Sequence, residues 1–200
     1  MTRAPLPGFY DDLDATFREA WRLLADGAEQ GRSGFHLPTL ATRGTDGGPR
    51  ARTVVLRAAD GAAGNLRFHC DRRSDKAAEI LAHPACALAA YDAAAKVQIR
   101  VEGRATLHTD DAVAEAAWAQ SRAMSRVCYG AEPAPGTVLP EGGAYSLPDE
   151  AAATTLGRPH FAAVLVRAER LDFLYLDRRG HRRAAWRRAE PGWSGEWIAP

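Results

Sequence analysis

Arg52-Thr53-Val54-Val55-Leu56-Arg57, a glycine-containing turn, and then Phe68-His69-Cys70-Asp71-Arg72-Arg73-Ser74-Asp75-Lys76 form the stretch on which the fold turns. A strand that begins and ends on arginine passes through the turn into a second strand. That strand runs straight into Ser74, a good helix N-cap, with Lys76 in the first helical turn. A lysine there works against the helix dipole, which favours anions at that end. Ser74, the free backbone N–H groups of the first turn and Lys76 together suit a bound phosphate. An ordinary cap with a solvated lysine is the alternative that these residues leave open.

Two hundred residues, 46% of them hydrophobic, fit one domain spanning 1–200 with a real core. The net charge of +1 argues against a general nucleic-acid role. A local exception is Arg178-Arg179-Gly180-His181-Arg182-Arg183 with Arg187-Arg188, which reads as the solvated face of a hairpin or as an anion site. The three cysteines, Cys70, Cys86 and Cys128, form neither a C-x-x-C pair nor a His-Cys metal pattern, so no metal is expected. No signal-peptide core precedes a cleavage site and no apolar run reaches the ~18 residues of a membrane span. The expectation is a soluble protein of a reducing cytoplasm, with neither nucleic acid nor membrane as partner.

Phe9, Leu13, Phe17, Trp21 and Leu24 recur at helical spacing, which predicts an amphipathic helix over residues 9–30, within an N-terminal segment 1–34. Strands are expected at about 36–43, 51–59 and 65–70, a short helix at 75–82, and strands at 86–91 and 96–107. The last of these alternates, with Lys96, Gln98, Arg100, Glu102 and Arg104 on one face and Val97, Ile99, Val101 and Ala105 on the other. A helix at about 110–124, capped by Asp110 or Thr109, precedes a long Pro/Gly-rich loop at 130–158. Four β segments, about 161–167, 170–177, 182–188 and 195–199, finish the chain. About nine strands with short turns and three peripheral helices read as an antiparallel barrel. No G-x-G-x-x-G or G-x-S-x-G motif is present, which disfavours a Rossmann fold and a hydrolase elbow.

The opening stretch, Arg-x-Val-x-Leu-Arg followed by a strand end and Ser-x-Lys, resembles the flavin-binding signature of the pyridoxamine 5′-phosphate oxidase-like family, which are FMN-binding split barrels. Val97-Gln98-Ile99-Arg100-Val101-Glu102-Gly103 is similar to the family's Arg-Gln-Val-x-Val-x-Gly strand. Ser121-Arg122 stands where the family's Ser-Arg follows a helix, and the ending Trp197-Ile198-Ala199-Pro200 resembles its closing strand. The resemblance covers roughly 35–200. It implies a mainly β, antiparallel split barrel with peripheral helices, FMN as cofactor, and a homodimer with the flavin in the groove between subunits.

The same resemblance assigns roles. Arg52, Ser74 and Lys76 would hold the FMN phosphate, and the backbone of Thr53, Val54, Val55, Leu56 and Arg57 would meet the ring edge. His69 and Cys70 align with the family's Tyr-Thr pair, Gln98 with its strand glutamine, and Arg183 with a flavin arginine of the late hairpin. Trp118, Arg122 and Arg182 would bind substrate. Asp75 stands where the family often has arginine, Ala184 where a histidine is expected, and Leu174 where a tryptophan is expected. The family's N-terminal Arg-x-x-Tyr lid is not recognisable in Met1–Tyr10. His69, His160 and His181 are candidate proton donors.

The leading reading is an FMN-dependent oxidoreductase that moves electrons or hydride from a small molecule, a phosphorylated B6 vitamer being one candidate, to O₂ or another acceptor. A flavin reductase-type enzyme and a non-catalytic FMN-binding or sensing module are the alternatives. An arginine-rich nucleic-acid binder would require affinity that falls steeply with salt.

Overall fold

The computed structural model describes residues 5–200, so the first four positions of the Met1–Tyr10 segment lie outside the described residues. Helix α1 (Leu13–Glu29) begins where Asp12 accepts the Ala15 N–H at 2.8 Å, satisfying one of the free donors of the first turn. Its apolar stripe, Ala20, Trp21 and Leu24, is buried.

Strands β1 (Thr39–Arg43) and β2 (Pro49–Thr53) form a hairpin, followed by β3 (Leu56–Asp60) and β4 (Asn65–Asp71). Helix α2 (Asp75–Ala82) leads to β5 (Ala85–Asp92) and β6 (Val97–His108). Helices α3 (Ala112–Gln120), α4 (Ala123–Arg126) and α5 (Glu150–Leu156) precede β7 (Phe161–Tyr175), β8 (Arg182–Arg188) and β9 (Trp193–Ile198).

All pairings are antiparallel, in the order β2-β1-β5-β6-β7-β4-β3. The sheet forks on β7: its first half pairs with β4 and its second half with β8, while β6 runs along the other edge of both. The sheet stays unclosed, which is the split-barrel architecture expected from the sequence.

The strand expected at 51–59 is two strands. At Val54–Val55 the chain leaves β1 for β4; the Val54 N–H turns to the Pro38 carbonyl at 3.0 Å and the Leu56 N–H to the His36 carbonyl at 2.9 Å. The segments expected at 161–167 and 170–177 are one strand. Glu102 faces Arg170 and Gly103 faces Ala168, so Glu169 is an extra residue that bulges without ending the strand.

The helix expected over 110–124 is capped by Asp111 and stops at Gln120, because Ser121 is extended. The long segment 130–158 holds α5 and a bridge between Glu132 and Ser146, which brings the α-helices among the described residues to five.

Burial follows the strand period. On β7, Ala162, Val164 and Val166 enter the main core, while Phe161 and Ala163 face a smaller cluster with Trp118, Tyr129 and Ala117. On β6, Val97, Ile99, Val101 and Ala105 are buried and Gln98, Arg100, Glu102 and Arg104 are not. Lys96 precedes that strand, in a left-handed conformation at φ 57°. No helix among the described residues is long and apolar enough to cross a membrane.

Candidate functional site

A cavity of about 280 Å³ opens above β3 and β4, between the end of α1 and the α3–α4 segment. Its floor carries Arg57 from β3 and Arg67 and His69 from β4. Arg67 and His69 share a strand face because they are two residues apart, opposite the buried Leu66, Phe68 and Cys70. One wall holds Ser121, Arg122, Ser125 and Tyr129; the other holds Glu29 and His36.

Arg57 and Arg122 are exposed and make no side-chain hydrogen bond or ion pair with any described residue. Arg67 donates to the Gln120 side chain at 3.0 Å, and its Nε is buried without a partner. Burial, with the charges of Arg67 and Arg57 beside it, pushes the His69 imidazole down to about 3. His69 is therefore neutral at ordinary pH. Its ring meets Phe161 edge-on at 4.8 Å and its Nε2 is buried without a hydrogen-bond partner.

The far wall is held by Arg73. Its guanidinium binds Asp71, the Glu132 carboxylate at 2.6 Å and the Ala131 carbonyl at 2.9 Å, fixing the start of the 130–158 segment against β4. His160 adds a hydrogen bond from Nδ1 to the Tyr129 carbonyl at 2.9 Å.

Three sets of the sequence-selected residues stand outside this cavity. Ser74 caps α2 in position but not by side chain: its hydroxyl donates to the Asp71 carbonyl at 2.6 Å, and Lys76 Nζ lies 3.3 Å from that hydroxyl. The first amides of α2 are thus left without a side-chain cap. Arg52 is turned toward α2 and binds Thr42 and the buried Glu79, the latter at 2.6 Å. Thr42 also donates to Glu79 at 2.5 Å.

Gln98 and Arg183 lie on one cross-strand row, on either side of Leu174. Arg183 and Arg100 both bind Asp172, at 2.9 and 2.8 Å, and Asp172 is 1% exposed. Burial alone would raise that carboxyl, but the hydrogen bonds from Arg183 and Arg100 outweigh it and hold it below its ordinary value.

Arg182 is occupied by the N-terminal segment, over the Tyr10 ring at 3.9 Å and on Asp11 at 2.7 Å. Trp118 packs against Phe161 and Tyr129 behind the cavity wall rather than in its lining. Cys70 is buried among apolar groups, which pushes its thiol up to about 12 and leaves it inert. His181 accepts the Asp177 N–H at 3.2 Å.

Sequence reasoning missed Arg67, Asp172, Glu79, Arg73 and His36. The i, i+2 spacing of Arg67 and His69 was a signal for the first. The others depend on contacts between distant segments.

Comparison with known proteins agrees with this architecture. The family model described as pyridoxamine 5′-phosphate oxidase matches residues 26–142. A pyridoxine/pyridoxamine 5′-phosphate oxidase of Myxococcus xanthus is 32% identical over 169 residues, covering 80% of each chain. A solved structure from Nostoc punctiforme, described as a pyridoxamine 5′-phosphate oxidase-related, FMN binding protein, is 28% identical over the whole of both chains, with a TM-score of 0.68. PhzG of Burkholderia lata, solved with tetrahydrophenazine-1-carboxylic acid, shares the fold at 20% identity and a TM-score of 0.72 over the whole of both chains. By sequence and by fold, this chain belongs to the pyridoxamine 5′-phosphate oxidase-like family, which includes oxidoreductases such as the Myxococcus xanthus oxidase.

Proposed function

We propose that the chain is an FMN-dependent oxidoreductase acting as a homodimer, with a small anionic substrate in the Arg57–Arg122 cavity. The observation that carries this reading is the cavity. Two exposed guanidiniums with no acidic partner, Arg57 and Arg122, converge with Arg67 on one pocket. Three arginines against one carboxylate, Glu29, leave the cleft net positive, which concentrates anions, and arginine is the side chain best shaped for phosphate or carboxylate.

The residues also fit the cofactor that the family name implies. Lys76, Ser74 and the uncapped amides of α2 suit a phosphate monoester. The backbone of Val55, between the bonded amides of Val54 and Leu56 and within Thr53–Arg57, suits the polar edge of a flat ring. Arg52 would serve the phosphate indirectly, by anchoring α2 through Glu79. Gln98 and Arg183 stand on the second half of the β6–β7–β8 sheet, whereas the cavity stands on the first half. A shared site between two copies would bring the two groups together, one from each subunit.

FMN, when bound, supplies two-electron redox chemistry. The chain's own residues hold the substrate anion with Arg57, Arg67 and Arg122, and offer neutral His69 as a hydrogen-bonding group without charge. The test is anaerobic mixing of flavin-loaded protein with phosphorylated and carboxylated amines and alcohols and with reduced nicotinamides. Saturable bleaching of the flavin by an anionic donor supports the reading. A yellow protein that no donor reduces supports a storage or sensing module instead.

A further inference from the structure

His36 lies in the loop after α1 and lines the cavity. Its Nδ1 is 2.7 Å from the Gly27 carbonyl, in the last turn of α1, where no helical N–H can reach. A carbonyl only accepts, so a proton sits on Nδ1, and in that tautomer the lone pair lies on Nε2.

Nε2 has no hydrogen-bond partner among the described residues. It lies beside Gly31, another residue of the cavity wall, 4.0 Å from where a Cβ would stand. The ring's backbone is fixed as well. Leu56 donates to the His36 carbonyl at 2.9 Å, and Gly27 admits Phe35 so closely that a Cβ would stand 2.7 Å from the Phe35 Cβ.

Charge around the cavity is divided. α1 packs on β3 and α3 on β7, with β4 between β3 and β7, so the α1 wall and the α3–α4 wall face each other across the floor. The floor and the α3–α4 wall carry Arg57, Arg67 and Arg122. The α1 wall carries Glu29, the negative end of the helix dipole and the Nε2 lone pair.

We propose that His36 is a specificity-determining residue of this cavity: an anionic ligand held by Arg57 and Arg122 places an N–H or O–H donor on Nε2. The proposal rests on the reading of the cavity as the substrate site.

Calorimetry on flavin-loaded protein tests it with three probes: inorganic phosphate, pyridoxamine 5′-phosphate, and 4-deoxypyridoxine 5′-phosphate, which has a methyl group in place of the aminomethyl. The parent is expected to favour the amine over the methyl compound by about tenfold, the value of one hydrogen bond to a charged group. In His36→Asn the amide N–H keeps the bond to Gly27, and the shorter side chain leaves no acceptor at the Nε2 position. The preference should fall to about onefold, with phosphate affinity and melting temperature unchanged.

Arg122→Ala should weaken both esters alike. A preference that survives in His36→Asn, or a parent with none, overturns the proposal while leaving the cavity reading intact. A parent that binds neither phosphate nor the esters overturns the cavity reading, and this proposal with it.

Discussion

Glu79 is 3% exposed, and Arg52 is the cation that neutralises it. Removing one partner of a buried pair costs ~3–5 kcal/mol, because the remaining charge is left uncompensated. Arg52→Ala should therefore unfold at lower denaturant by that amount, and adding Glu79→Ala should restore part of the loss. A single mutant as stable as the parent would show that the pair is solvated.

His69 makes a pH prediction of opposite origin. Its folded value of about 3 lies below the ordinary histidine value of ~6.5, so the unfolded chain takes up the proton first. The stability it contributes is full above ~6.5 and is lost progressively as pH falls toward 3. Urea unfolding from neutral pH to mildly acidic pH should show this loss in the parent, with a flatter profile in His69→Asn. Equal slopes would mean that the ring is hydrated.

The residues that depart from the family set a third expectation. Arg182 is committed to Asp11 and Tyr10, and Ala184 is fully buried and offers no side-chain hydrogen bond. Turnover of pyridoxamine 5′-phosphate should fall well below the ordinary ~1–10³ per second. Oxygen consumption measures it, and a rate inside that range would make those groups dispensable.

At the level of elements, β7 is the member on which the molecule depends. It serves β4, β6 and β8, and it bends past β6 at the Glu169 bulge. Gly103 sits where the two backbones close: a Cβ there would stand 2.2 Å from the Arg167 carbonyl oxygen. Neither backbone can yield without breaking the ladder, so Gly103→Ala should cost more than the ~0.5–3 kcal/mol of an ordinary substitution. A melting temperature within a few degrees of the parent would contradict that.

Strands β6 and β7 show why the sequence was legible in its strands and less so in their joins. Alternation over Val97–Ala105 marks one buried face, and it survives folding because one face meets the core. Between the segments expected at 161–167 and 170–177, the charges of Arg167, Glu169 and Arg170 interrupt an apolar run. A bulge accommodates those charges without ending the strand. The 51–59 run is the opposite case, because no glycine, proline or other turn residue between Ala51 and Ala59 marks the point where the chain changes partner.

In the whole molecule, Ser74, Lys76, Arg57 and Arg122 stand out as candidates in the sequence because each follows a local pattern: a helix start, a strand end, a Ser-Arg after a helix. His36 and Asp172 do not, because their partners lie on other segments: Gly27 for the first, Arg100 and Arg183 for the second. The single chain also separates the cavity from the Gln98–Arg183 row, which is why the site is proposed to need two copies.

The central claim is that the start of α2, the Thr53–Arg57 backbone and the Gln98–Arg183 row hold FMN. One phosphate cluster at α2, with no glycine-rich loop for a pyrophosphate, predicts a preference for the mononucleotide. Fluorescence titration of flavin-free protein with FMN and with FAD tests it most directly. The account predicts saturation at one FMN per chain, with FAD weaker by about tenfold or more. Equal affinity for the two, or no flavin bound, would contradict it.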